Sequence, residues 1–256
     1  MSRICNPTLA GLAVMTLLST SSYTHADEWE FSLAPLFLWG ISIDGDATLG
    51  TTAAPLELNF VDDILENLDA VFTVHFEARN GELTYFAEIQ YVNLQPSLAE
   101  GPIAADIEFK NTQAELGAGW AFADNNRTRW EMLLGLRYMD QEVDVDGSLN
   151  LPDGPGPIPI AINGGDSWYH PFLGLRMERK LTTSWTLLTR GDFGYSSSDN
   201  RALNLSFIFD YRFKNWGSAF VGYRYMDFDY DEGTGDDRYA YDAVQQGPLV
   251  GISIHW

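Results

Sequence analysis

The chain has 256 residues, 14% of them aromatic, and a formal charge of −21. That acidity excludes a nucleic-acid binder, which needs a basic face. Past the N-terminus no 18 consecutive residues are apolar, which excludes a membrane helix but not membrane strands.

Residues 1–26 read as a secretory signal peptide. Arg3 gives a positive end, Leu9 to Leu18 an apolar run, and Thr24 and Ala26 small residues before a cleavage point at Asp27. Cys5, the one cysteine, precedes the apolar run, so it is misplaced for a lipid anchor and would leave with the peptide. The mature chain, 27–256, would be a single domain of about 230 residues without disulfides or thiol chemistry.

Period-two alternation dominates the rest. Trp29 to Ile43 predicts a first strand, with Trp29, Phe31, Leu33, Pro35, Phe37, Trp39, Ile41 and Ile43 on one face. Leu36 and Leu38 are apolar exceptions opposite. A long loop, Asp44 to Ala70, contains Val61, Ile64, Leu65 and Leu68 at helical spacing among acids, which predicts a short amphipathic helix. Asn80-Gly81 is a two-residue hairpin signal. Pairing outward from it sets Ala78 opposite Leu83, Phe76 opposite Tyr85 and Val74 opposite Ala87 on an apolar face. Arg79 then faces Glu82, and Glu77 faces Thr84, on a polar one.

Asp106 to Phe122 and Thr128 to Val145 predict the next pair, with Trp120 beside Trp130 across the turn. Gly147 to Asp166, carrying Pro152, Pro155, Pro157 and Pro159, predicts a loop that cannot be a central strand. Ser167–Leu181 and Trp185–Ser196 form a hairpin about Thr183. Asn200–Phe213 and Ser218–Tyr230 follow, then an acidic loop and the terminal strand. In that last strand Pro248, Val250, Ile252, Ile254 and Trp256 share a face. Gly247, Leu249, Gly251, Ser253 and His255 lie opposite.

A soluble sheet buries its apolar face, whereas a membrane barrel turns it to lipid. Short turns at the end holding both termini and longer loops at the other favour the barrel. The predicted fold class is all-β: a transmembrane antiparallel up-and-down β-barrel of about ten strands, with eight or twelve as alternatives. The eight tryptophans fall near strand ends. Trp29, Trp120, Trp130, Trp185, Trp216 and Trp256 are expected in a periplasmic girdle, and Trp39 and Trp168 near the outer one.

The stretches Trp29–Trp39, Phe60–Asp69, Phe76–Arg79, Gly222–Tyr225 and Gly247–Gly251 resemble, in their order, a group of uncharacterised proteobacterial outer-membrane β-barrel proteins. The likeness spans the mature chain. It implies the fold and location in the outer membrane of a Gram-negative bacterium, and it implies no activity. Val250, Ile252, Ile254 and Trp256 also resemble the C-terminal signal of such barrels, which implies the barrel assembly machinery as a partner.

The residues expected to face the lumen with charge are Glu77, Arg79, Glu88, Glu115, Glu131, Arg137, Arg176, Glu178, Arg190, Asp192, Asp210, Arg212 and Arg224. Ten strands leave little room inside, so interspersed charges of both signs predict a plug of ion pairs. The alternative is a narrow solute path. His170 and Ser196 would pair at the outer rim, where a base beside a hydroxyl is the minimum for a lipid hydrolase or acyltransferase. Asp140, Asp166 and Asp199 are candidates for the third, orienting acid. Asp227, Asp229 and Asp231 begin a run like a calcium loop, but its glycine, Gly233, is one place late and Arg238 stands where the closing acid belongs. A solvated strand tip is the simpler reading, beside weak divalent binding. The expected function is an integral outer-membrane protein, structural or allowing limited small-solute passage, without a cofactor. Its expected partners are membrane lipid and lipopolysaccharide.

Overall fold

The computed structural model describes residues 29–100, 103–149 and 156–256. The signal peptide lies outside them. The strands are β1 (Glu30–Ala34), β2 (Phe37–Trp39), β3 (Ser42–Leu49), β4 (Thr52–Leu58), β5 (Leu68–Asn80), β6 (Leu83–Leu94), β7 (Ser97–Glu100) and β8 (Ile103–Asp124). Then come β9 (Thr128–Leu149), β10 (Ile158–Lys180), β11 (Trp185–Ser197), β12 (Asn200–Lys214), β13 (Gly217–Glu232) and β14 (Tyr239–His255).

Ten of them form a ring in the order β1-β5-β6-β8-β9-β10-β11-β12-β13-β14, and β14 pairs back onto β1. Closure leaves no edge inside the ring, the condition for strands to cross hydrocarbon. The seam is drawn tight by the last residue. Phe31 N–H donates to the Trp256 carbonyl at 2.9 Å, and Trp256 N–H donates to the Phe31 carbonyl at 3.2 Å. The Trp256 ring stacks on Phe31 with centroids 5.6 Å apart.

The apolar faces point out. Leu116 on β8 and Leu134 on β9 are more than 60% exposed, and Leu136, opposite Leu116, and Leu173, opposite Leu134, are likewise exposed, as are Val221 and Ile252. Six tryptophans, Trp29, Trp120, Trp130, Trp185, Trp216 and Trp256, are exposed near the short-turn end, as a girdle there requires.

Five expectations are corrected. The first predicted strand is three segments, β1 to β3, and its facing inverts at the Pro35 bend. Leu36 and Leu38 are exposed, while Phe37, Trp39 and Ile43 are buried. Pro35 has no N–H for the ladder, and there Phe37 N–H turns to the Thr73 hydroxyl at 2.9 Å. The loop after residue 44 is in part a hairpin, β3 with β4, followed by a one-turn helix at Phe60–Leu65 capped by the Asn59 side chain. The first tight hairpin turns on Gly81-Glu82, with Gly81 at φ +57°, so Ala78 faces Tyr85 and not Leu83. A slip of two residues leaves both faces as read. Trp120 faces Met132 and not Trp130, because the turn sets Asp124 opposite Arg129 and Ala123 opposite Trp130, and a bulge between Ala121 and Ala123 shifts the register by only one place. Lastly, Pro159 lies within β10. It is tolerated because β10 pairs with β9 along its whole length but meets β11 only from Phe172 onward, leaving its first part an edge.

Candidate functional site: the charged lumen

Every lumen-facing charge read from the alternation lies on the inner face, and all but Asp210 and Arg212 join one of two clusters. The first, nearer the short turns, is built on Glu131. Arg176 Nε donates to it at 2.5 Å and Arg129 Nε at 2.9 Å, and the Thr84 hydroxyl donates at 2.7 Å. Arg176 reaches across the lumen to Glu77 at 2.6 Å, and Arg79 bridges Glu77 and Glu178 at 3.2 and 2.8 Å.

The second cluster sits deeper and centres on Arg137, which is fully buried. Its Nε donates to Glu115 at 2.6 Å and its Nη2 to Asp192 at 2.8 Å. Its Nη1 is 3.3 Å from His170 Nε2, so that nitrogen accepts and the proton belongs on Nδ1. Arg190 meets the same two acids at 2.9 and 2.6 Å. Asn204 carries the network onward, donating to Asp192 at 2.7 Å and accepting from Arg224 at 3.2 Å. Arg224 ends on Glu88 at 2.5 Å, and His75 lies 2.9 Å from the other Glu88 oxygen. Charges taken from water need such partners. The guanidinium faces are also covered: Arg190 lies 5.1 Å from the Phe86 and Phe172 ring centres, and Arg224 5.3 Å from that of Trp39.

Beyond this layer, toward the long loops, the lumen holds aromatic and neutral polar side chains. Trp168 stacks on Tyr230 at 4.2 Å, with Tyr239 and Tyr241 at 6.2 Å. Tyr239 donates to Gln141 at 2.7 Å, and Gln245 to Tyr241 at 2.9 Å. The placement of Trp39 and Trp168 in an outer girdle is therefore corrected: both are buried inside.

His170 and Ser196 are not brought together. His170 is buried, and Gly194, its neighbour on β11, lets it approach so closely that a Cβ there would stand 2.0 Å from the ring. Ser196 is exposed, and no hydrogen bond joins the two among the described residues. Of the candidate acids, Asp166 accepts from Tyr230 at 2.7 Å and Asp199 from Ser198 at 3.1 Å; Asp140 faces outward on β9. In the run like a calcium loop, two of the acids are engaged by arginines. Asp229 is held by Arg201, and Asp231 by both nitrogens of Arg238 at 2.9 and 2.6 Å. No group of three such acids able to hold a metal occurs among the described residues.

Neither a family model nor a curated protein matches the sequence. Among solved structures the chain superposes on the outer-membrane protease OmpT of Escherichia coli with a TM-score of 0.58. The match covers 93% of this chain and 100% of that one at 9% identity. The fold is that of an outer-membrane β-barrel. Likeness at this identity shows the fold alone. The attachment invasion locus protein Ail of Yersinia pestis covers 89% of this chain and 97% of its own at 8% identity, with a TM-score of 0.31. That score is too low to carry a comparison of sites.

Proposed function

We propose that this chain is an integral protein of the bacterial outer membrane whose lumen is closed, serving a structural role or limited passage of small solutes. Arg137 carries the reading. A guanidinium with no exposed surface, held by Glu115, Asp192 and His170 from three different strands, leaves no room for a hydrated ion beside it. The inner aromatic layer of Trp168, Tyr230, Tyr239 and Tyr241 supports the same conclusion at a second depth. Lipid and lipopolysaccharide are the partners along the apolar belt, and the assembly machinery is the partner at Trp256 during insertion. Sugar-loaded proteoliposomes test this. Release of a pentose at, or only slightly above, the rate from protein-free vesicles is expected, and rapid release would contradict a plugged lumen.

A further inference from the structure

Below the Arg137 layer the lumen is not filled. A cavity of about 460 Å³ opens toward the short-turn end, within the size range of small-molecule sites. Its two sides differ. One carries the ion-paired side chains Glu77, Arg79, Arg176 and Glu178. The other, between polar residues such as Ser206, Asp210 and Ser253, carries an apolar band, which is unusual for the inside of a membrane barrel. Leu188 faces Ile208 across β11 and β12, Ile208 faces Gly222 across β12 and β13, and Gly222 faces Leu249 across β13 and β14. Phe37 and Phe220 extend this wall. Ile208 interrupts an otherwise polar inward set, Asn204, Ser206, Asp210 and Arg212, which a sealed ionic plug would not need.

The mouth carries both signs, with Glu30, Asp124, Glu178 and Asp210 among its acids, and some of its cations stand outside any salt bridge. A polar recess continues from the cavity, sharing Glu30, Arg79 and Glu178 with it and adding Arg127 and Lys180. Arg127, Lys180 and Arg212 make no ion pair among the described residues, whereas the deeper lumen arginines are all paired. Cations without ion-pair partners at the rim, with an apolar wall beyond them, suit one kind of occupant.

We infer that this cavity binds a single-chain amphipath with an anionic head, its tail along Leu188, Ile208 and Leu249 and its head at Arg212 and the rim cations. The inference rests on the closed lumen, which makes the cavity a dead end rather than part of a pore. A carboxylate or a phosphate would serve equally as the head.

The test uses the full barrel in zwitterionic nanodiscs, titrated with a dansyl-labelled undecanoate against empty discs. Saturable one-to-one binding is expected, displaced by laurate or by dodecyl phosphate, with the stronger competitor naming the head. Dodecyltrimethylammonium should displace it poorly. Leu188→Trp, which fills the cavity, and Arg212→Gln should each weaken binding roughly tenfold. Leu205→Ala on the lipid face should not. Heat-modifiable gel mobility confirms folding of each variant, and Ile208→Ser replaces Leu188→Trp should that variant not fold. No saturable binding beyond empty discs, or equal displacement by the cationic amphipath, would overturn the proposal. Conductance of the same barrel is read separately, so an open lumen and an empty cavity give different results.

Discussion

Removing the Arg137 guanidinium would leave two buried acids short of a partner, Glu115 with Arg190 and Arg224, and Asp192 with Arg190 and Asn204. Breaking a buried pair this way costs about 3–5 kcal/mol, and the shared Arg190 contact puts Arg137→Met near the low end. Glu178→Gln breaks a half-wet pair with Arg79, each side chain about a fifth exposed, and should cost about 1 kcal/mol or less. Equilibrium urea unfolding in lipid vesicles measures both; equal losses would contradict the difference in burial. On the outer surface, Leu134→Arg should cost about 2–4 kcal/mol by the same assay, as a cation near the bilayer midplane does. Most of these roles were legible in the sequence, because one known inward residue fixes the phase of its strand. The same rule was available for the misplaced tryptophan. His170 reads inward, so Trp168, two residues before it, must too. Arg224 likewise implies Met226, Phe228 and Tyr230 inside. An aromatic near a strand end suggested a girdle instead, and composition overrode parity.

At the scale of elements, alternation predicts facing well and breaks where the backbone breaks. Proline at residue 35 inverts the phase, and no count of apolar residues reveals this, since Leu36, Phe37, Leu38 and Trp39 are all apolar. Cysteine scanning tests the inversion: a lipid-phase reagent should label Leu38→Cys and spare Phe37→Cys. The same scan at Leu205 and Asn204 should label only Leu205→Cys, since Asn204 is fully buried. Labelling at Phe37 but not Leu38 would restore a continuous first strand. The edge stretch of β10 was hidden for a different reason. Its prolines and glycines read as loop, and only the partner strand β9, reaching out to Leu149, makes extension possible there.

For the whole molecule, the closing seam and the closed lumen are separate claims. Deleting Trp256 removes both backbone hydrogen bonds with Phe31 and the ring stack at the seam. Unpaired backbone groups in hydrocarbon cost several kcal/mol each. Folded barrel in membrane fractions, read by heat-modifiable mobility, should fall far more for this deletion than for removal of residues 151–155. The closed lumen is tested most directly by planar-bilayer recording of the purified wild-type barrel beside the Arg137→Ala, Arg190→Ala double variant. Silence or rare small openings from the wild type, with more frequent openings from the variant, is the predicted result. A large steady conductance from the wild type would contradict it.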